Sequence, residues 1–305
     1  MDAESPNQLA SSLLGDGMNL SQKFATTLDD FEILNKIGKG SFGTVYKIKR
    51  KADNNIYVLK QIGISHLSPQ ARNSAVNEVQ ILASLRNPYI VKYYESFVDR
   101  SHLNIVMEYC EGGDLDSYIK KHVNRLIPEK RIWKMFIQLL VGLHYIHKKN
   151  IVHRDLKTLN VFVTKEEDIR IGDMGLAKVL DCSGKFAHSV VGTPYFISPE
   201  ICERKPYNDK TDIWSLGCIL YELCTLRHAF EATSHAALLL KIVRSQQKPI
   251  SETYSKELAE IIDGCLCKDP EARYSTMDLL TMKGPLELIL HINISCSCDA
   301  KSEGF

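Results

Sequence analysis

The chain has 305 residues, 44% of them hydrophobic and 25% charged, with 38 Lys+Arg against 37 Asp+Glu and a formal net charge of +1. That is the make-up of a soluble globular protein of one large or two modest domains, with no electrostatic footprint for wrapping nucleic acid or coating an anionic membrane. No run reaches the roughly 18 apolar residues of a membrane span, the acidic start Met1-Asp2-Ala3-Glu4 lacks the blocks of a secretory signal, and the nine cysteines show no paired CxxC spacing, so a cytoplasmic protein with reduced thiols, no zinc site and no disulfide framework is expected.

Residues 1–28 are polar and without a period, and read as a flexible tail. Alternation from Phe31 to Ile37, Thr44 to Lys49 and Ile56 to Lys60 then predicts three strands. Ser68-Pro69 opens a helix on which Ala75, Val79, Leu82 and Leu85 recur at helical spacing, and Asn87-Pro88 ends it. Strands are predicted again over Ile90 to Phe97 and Leu103 to Tyr109, before the break Glu111-Gly112-Gly113-Asp114. Beyond it the spacing is helical: Trp133, Phe136, Ile137, Leu140, Leu143, His144 and His147 form one stripe, with others over Ile213 to Leu226 and Leu258 to Leu266. No period of 20 to 50 residues repeats, which excludes a solenoid. His144 and His147 lack a carboxylate or thiol partner at ligand spacing and read as core or interface residues rather than metal ligands.

Gly38-Lys39-Gly40-Ser41-Phe42-Gly43 matches G-x-G-x-x-G, a weak signal until its context is read. A dinucleotide-binding loop opens a helix, but here a strand follows; a Walker loop needs lysine where Thr44 stands. What remains is a glycine hairpin whose backbone N–H groups close over phosphates. Lys60 stands at the end of the third strand. Glu78 falls on the apolar side of the following helix, where a carboxylate is costly unless paired, and Lys60 is its natural mate; alone, Glu78 would read as a solvated surface residue.

These pieces stand in the order of the protein-kinase signature, and the chain resembles that superfamily. The resemblance is strongest at Ile151-Val152-His153-Arg154-Asp155-Leu156-Lys157-Thr158-Leu159-Asn160-Val161-Phe162, where it implies Asp155 as acceptor of the substrate hydroxyl proton, Lys157 as the cation at the transferred phosphate and Asn160 as a Mg²⁺ ligand. Ile171-Gly172-Asp173-Met174-Gly175 occupies the D-F-G position, which implies Asp173 as the principal Mg²⁺ ligand, with Met174 a more flexible filler in place of Phe. ATP is the implied nucleotide, held by Ile37, Gly38, Lys39, Gly40, Ser41, Phe42, Gly43, Val45 and Lys60. A hinge of Met107, Glu108, Tyr109 and Cys110 receives the adenine, and Asp114 the ribose. The segment from Asp173 to Ser198-Pro199-Glu200 carries Ser183, Ser189 and Thr193; Ser189 is the expected phosphorylated switch, with Arg154 as its receptor, and Thr193 is expected to shape the substrate site beside Asp155 and Lys157. Asp212 and the pair Glu200–Arg273 read as structural supports. Lys157 with Gly192-Thr193-Pro194-Tyr195 points to serine and threonine as the substrate hydroxyls.

Within the superfamily the chain is similar to the NIMA-related kinases from about Phe31 to Leu280. The likeness is carried by Met107-Glu108-Tyr109-Cys110-Glu111-Gly112-Gly113-Asp114-Leu115, by Gly192-Thr193-Pro194-Tyr195-Phe196-Ile197-Ser198-Pro199-Glu200-Ile201-Cys202 and by Leu220-Tyr221-Glu222-Leu223-Cys224-Thr225-Leu226-Arg227-His228-Ala229-Phe230-Glu231-Ala232. It implies an α+β, two-lobed kinase fold over 29–284, with an antiparallel-sheet N-lobe carrying one main helix (29–106), a hinge (107–113) and a mainly helical C-lobe (114–284), followed by a tail (285–305). It also implies action on cell-cycle, centrosomal, basal-body or ciliary processes. No heptad region supports dimerisation. Tyr93 is weighed as a residue that blocks the active arrangement against simple core packing. The rival to catalysis is a catalytically weak scaffold or binding module on the kinase fold, whose hallmark would be loss of Lys60, Asp155, Asn160 or Asp173; all four are present.

Overall fold

Period-two alternation early in the chain becomes a five-stranded antiparallel sheet. Its strands are β1 (Phe31–Lys39), β2 (Thr44–Arg50), β3 (Ile56–Gly63), β4 (Tyr93–Asp99) and β5 (His102–Glu108), in spatial order β1-β2-β3-β5-β4. The computed structural model describes residues 26–39, 43–65, 68–122, 125–174, 178–179 and 195–292. These divide into two units, the first holding the sheet, its helix α1 (Pro69–Ser84), the chain to Glu111, and Asp173 with Met174.

Alternate residues of the sheet point to opposite faces. Phe31, Ile48, Tyr57, Leu59, Phe97 and Val106 form one buried cluster, with the Phe31 and Phe97 rings stacked 5.9 Å apart. Residues of the other parity fall into a cross-strand row, Gly38 opposite Val45, Val45 opposite Lys60, Lys60 opposite Ile105. The period-two pattern of β3 thus keeps Tyr57 and Leu59 in the apolar cluster while turning Lys60 away from it.

Residues 26–28, which the sequence assigns to a free tail, are bonded to this sheet. Thr26 donates to Glu95 at 2.8 Å, the Leu28 amide donates to Asp99 at 2.9 Å, and Lys51 donates to the Asp29 carbonyl at 2.6 Å. Carboxylates of β4 capture donors that an isolated chain would leave to water.

The second unit is mainly helical, as the 3.6-residue spacing predicts. Its elements are β6 (Gly113–Asp114), α2 (Leu115–Lys120), α3 (Glu129–Lys148), β7 (Ile151–Val152), β8 (Val161–Val163), β9 (Ile169–Ile171), β10 (Lys178–Val179), α4 (Pro199–Cys202), α5 (Lys210–Thr225), α6 (His235–Arg244), α7 (Lys256–Cys265), α8 (Thr276–Thr281) and α9 (Lys283–Ile292). Helix α5 is buried at every position from Thr211 to Cys224, including its carboxylates Asp212 and Glu222, which therefore need partners. Gly217 lets it approach α7: a Cβ there would lie 2.6 Å from that of Cys265. No described helix is long and apolar enough to cross a membrane.

Two sequence expectations meet this unit directly. Residues 285–292, expected to belong to a tail, are helical in α9, whose start is fixed by the Gly284 amide donating to Glu257 at 2.6 Å. The apolar run Leu288-Ile289-Leu290 is part of that helix. No disulfide joins the described cysteines, of which Cys110, Cys218, Cys224 and Cys265 are buried, and burial pushes the Cys265 thiol up to about 12, which keeps it protonated core filler. Cys182, Cys296 and Cys298 lie outside the described residues.

Candidate active site

In the first unit the site is built on the Lys60 row. Lys60 is only 9% exposed and Glu78 3%; two such charges are costly to bury unless they meet. The Lys60 ammonium donates to Glu78 Oε1 at 2.6 Å and to Asp173 Oδ1 at 3.0 Å. Burial works to lower the Lys60 pKa, but the Glu78 and Asp173 carboxylates outweigh it and hold the amine above its usual value. Lys60 is therefore a fixed cation at neutral pH. Helical spacing places Glu78 here, beside buried Ala75, Val79 and Leu82 of α1.

The glycine hairpin is reached by β1 and β2. Gly40, Ser41 and Phe42 lie outside the described residues; Ile37, Gly38, Lys39, Gly43 and Val45 are described. Gly43 has a reason the sequence reading lacked: a Cβ there would stand 2.1 Å from the Gln61 carbonyl oxygen of β3. Its missing side chain serves the β2–β3 approach. Met107 lies opposite Val58 and Tyr93 in the ladder, the Glu108 amide donates to the Lys92 carbonyl at 2.9 Å, and Cys110 is buried. Tyr93 shares a hydrogen bond with Ser96 at 2.8 Å. Met174 is fully buried, and Asp173 takes a left-handed backbone with φ 52°.

In the second unit β7 and β8 bracket the loop that carries Asp155. Lys157 donates to Asp155 Oδ2 at 2.7 Å, and Asn160 Nδ2 donates to the Asp155 carbonyl at 2.8 Å and to Oδ2 at 2.9 Å. The Asp155 carboxylate is thus aimed by two donors. Asn160 spends its amide N–H groups on Asp155, which leaves its hard amide oxygen for a ligand. That oxygen is of the type Mg²⁺ accepts, since the ion takes one or two protein oxygens together with substrate phosphates. Asp114 caps α2, accepting from the Ser117 amide at 2.7 Å and its hydroxyl at 3.0 Å; a carboxylate has lone pairs left to accept a ribose hydroxyl.

The loop hangs from residues whose roles the motif alone does not reveal. Fully buried Asp212, in the first turn of α5, accepts from the His153 amide at 2.8 Å, the Arg154 amide at 2.9 Å and His147 Nε2 at 2.9 Å. These bonds hold Arg154 at φ 69°, a left-handed conformation a non-glycine residue adopts only when its surroundings fix it. The His153 ring accepts from the Asp155 amide at Nδ1, 3.3 Å, and donates from Nε2 to the Gly172 carbonyl at 3.0 Å, a pattern that assigns the neutral Nε2–H tautomer. One imidazole therefore ties the loop of Asp155 to the residue preceding Asp173. Burial would raise the Asp212 pKa, yet the His147 bond and charge, with His153 and the Arg154 amide, hold it below the usual carboxylate range. His147 so enters as a support of this loop, and His144 meets Thr276 at 2.9 Å; neither stands in a metal-binding cluster among the described residues.

Past the undescribed residues that include Ser183, Ser189 and Thr193, the chain from Tyr195 to Glu200 is pinned at several points. Ser215 donates to the Phe196 carbonyl at 2.9 Å, and buried Ser198, which stands where A-P-E has alanine, shares a 2.7 Å bond with Thr211. Arg273 meets both oxygens of Glu200, at 2.8 and 2.9 Å, with the arginine 1% exposed. The Arg154 guanidinium stands 5.5 Å from the Tyr207 ring centroid.

Comparison with known proteins completes the site. Residues 31–283 match the family described as "Protein kinase domain". The chain is 44% identical over 253 residues to serine/threonine-protein kinase Nek1 of Mus musculus, covering 83% of this chain and 21% of that protein. It is 45% identical over 247 residues to serine/threonine-protein kinase Nek8 of Danio rerio, 81% and 35% of the two chains, and 42% identical over 254 residues to serine/threonine-protein kinase Nek5 of Homo sapiens, 83% and 36%. The chain thus spans about a fifth to about a third of the length of these curated relatives. With its Lys60–Glu78 pair, its Asp155 loop and a match running through both units, the chain belongs to the protein kinase family, in its NIMA-related branch.

Proposed function

We propose that the protein transfers the γ-phosphoryl group of ATP to serine or threonine hydroxyls of proteins. The observation that carries this is the Asp155 carboxylate, held by Lys157 and Asn160 on a loop fixed from Asp212. In the reaction the substrate oxygen forms a bond to the γ-phosphorus as the bond to the ADP oxygen breaks, and Asp155 accepts the hydroxyl proton. Lys157, bonded to Asp155, keeps that carboxylate oriented and adds positive charge beside the transferring group. Lys60, fixed by Glu78, supplies the cation for the nucleotide phosphates. Asn160 in the second unit and Asp173 in the first would each offer an oxygen to Mg²⁺, which would supply charge neutralisation of the phosphates.

Regulation on this reading runs through Ser189, whose phosphate Arg154 would receive, while Thr193 shapes the substrate segment; Tyr93 either blocks the active arrangement or only packs in the core. The adenine lies against Met107, Glu108 and Cys110, with the ribose at Asp114. The kinase domain is 29–284, its partners are protein substrates, and neither nucleic acid nor a membrane is needed. Centrosomal, basal-body or ciliary work follows only from the family resemblance. A scaffold role is disfavoured because Lys60, Asp155, Asn160 and Asp173 are all retained. The test is a peptide-library phosphorylation assay with Mg-ATP, with mass spectrometry of residues 173–200. Label on Ser and Thr peptides supports the reading, and label on tyrosine peptides alone, or on none, overturns it.

A further inference from the structure

One anchor of the Tyr195–Glu200 segment is an imidazole. The Tyr195 and His228 rings stack with centroids 3.8 Å apart and planes 12° from parallel, and Phe196 meets the same imidazole edge-on at 6.2 Å. At the ring edge, His228 Nδ1 is in ion contact with Glu222 Oε1. Glu222 is buried in the last turns of α5, and its second oxygen makes no hydrogen bond among the described residues. A carboxylate so placed needs a cation, and His228 is the group in contact with it.

The turn after α5 delivers His228 to this place. The backbone reverses at Leu226, φ 59°, whose amide donates to the Glu222 carbonyl at 2.8 Å, and Thr225 Oγ1 bonds to the Tyr221 and Arg227 carbonyls at 2.8 and 3.1 Å. The other anchors of the segment are the neutral contacts of Ser215 on Phe196 and Thr211 on Ser198, and the Glu200–Arg273 ion pair at its far end.

We propose that His228, as an imidazolium clamped between Glu222 and the Tyr195 ring, is a positioning residue that sets the substrate segment adjoining Thr193 and so governs binding of the protein substrate. This rests on the kinase reading above. A cation over an aromatic face in a partly desolvated site is a strong form of that contact. The ionisable groups acting on the imidazole are Glu222 on α5, Glu231 beyond it and Asp116 on α2, with the Tyr195 phenol against its face; Asp116 is itself paired with Lys120 at 2.6 Å, a cation that also acts on Glu222. Burial works to lower the His228 pKa, but Glu222, then Glu231 and Asp116, hold it above 6.5. The clamp is complete below the unfolded pKa and is lost as pH rises through the raised folded value.

The experiment measures KM for a peptide substrate and for ATP, with kcat, between about pH 6 and about pH 9, in wild type, His228→Gln and His228→Arg, alongside NMR titration of the imidazoles in wild type and Glu222→Gln. In wild type the peptide KM rises with pH through a pKa above 6.5, and Glu222→Gln lowers that pKa. His228→Gln raises the peptide KM about fivefold to tenfold at low pH, with ATP KM and kcat unchanged. His228→Arg, a planar cation that stays charged, restores the low KM and abolishes its pH dependence. A peptide KM within twofold of wild type in His228→Gln, an equal change in ATP KM, or a His228 resonance titrating at or below 6.5 and indifferent to Glu222→Gln overturns the proposal. Should wild type transfer no phosphate at all, the kinase reading fails, and the NMR titration still decides whether the clamp exists.

Discussion

Replacing Asp212 by asparagine is predicted to loosen the loop that carries Asp155. Both oxygens are engaged: Oδ1 accepts from the Arg154 amide, and Oδ2 from the His153 amide and from His147. Asparagine keeps one accepting oxygen and turns an N–H₂ towards donors on the other side. Hydrogen bonds to a charged acceptor are worth about 1.5–3 kcal/mol each, so losing one side and weakening the other costs about 3 kcal/mol. Urea unfolding at neutral pH measures this directly. Because the Asp212 pKa is depressed in the fold, its contribution is present above the unfolded carboxyl value of about 3.9 and is lost as pH falls through the folded value. The difference in stability between wild type and Asp212→Asn therefore shrinks on acidification. Activity should fall with stability, since Arg154 is then free to leave its left-handed conformation and Asp155 follows it. A variant within about 0.5 kcal/mol of wild type, the range of ordinary surface substitutions, with unchanged kcat, would refute the account of Asp212 as the support of the loop.

Three further outcomes follow from the same geometry. Glu78→Gln removes the carboxylate 2.6 Å from Lys60 and should lower kcat/KM for ATP by about tenfold to a hundredfold, because a misplaced cation is enough to cost that much; steady-state kinetics with ATP varied checks it. Arg273→Ala strands Glu200 in the core and should cost about 3–5 kcal/mol, while Arg273→Lys recovers only part because lysine cannot make the two-pronged contact; urea midpoints of both variants decide. Lys268, its ammonium 4.5 Å from the Trp214 centroid and 4.2 Å from that of Phe230, has its pKa lowered by burial to about 8. The unfolded chain then binds the extra proton between about pH 8 and about pH 10.4, so stability rises with pH across that window. The rise should be smaller in Lys268→Met, read as the difference between urea midpoints at the two ends.

Local pattern made much of this molecule legible before any coordinates. Alternation located the five strands of the sheet, and the spacing of Ala75, Val79 and Leu82 put Glu78 on the side of α1 from which it meets Lys60. What remained hidden depends on contacts far apart in sequence. Nothing near His153 indicates that its ring spans from the Asp155 amide to the Gly172 carbonyl, nor that His147 and Asp212, 65 positions apart, share a bond. Gly43 was legible as a hairpin glycine, but the Gln61 carbonyl that forbids its side chain belongs to another strand. Ser198 read as a departure from alanine; its buried hydroxyl is satisfied by Thr211. Helix α9 was missed because its polar flanks resemble a tail, and its apolar run is short.

The central claim is that the Asp155 carboxylate, aimed by Lys157 and Asn160, accepts the hydroxyl proton during phosphoryl transfer. It is tested most directly by rapid-quench single-turnover transfer from γ-labelled Mg-ATP to a serine peptide, comparing wild type with Asp155→Asn at matched stability. The account predicts rapid transfer by wild type, a loss of about 10²-fold to 10⁴-fold in the variant, and unchanged ATP affinity. Transfer by Asp155→Asn at the wild-type rate, or none by wild type, would contradict it.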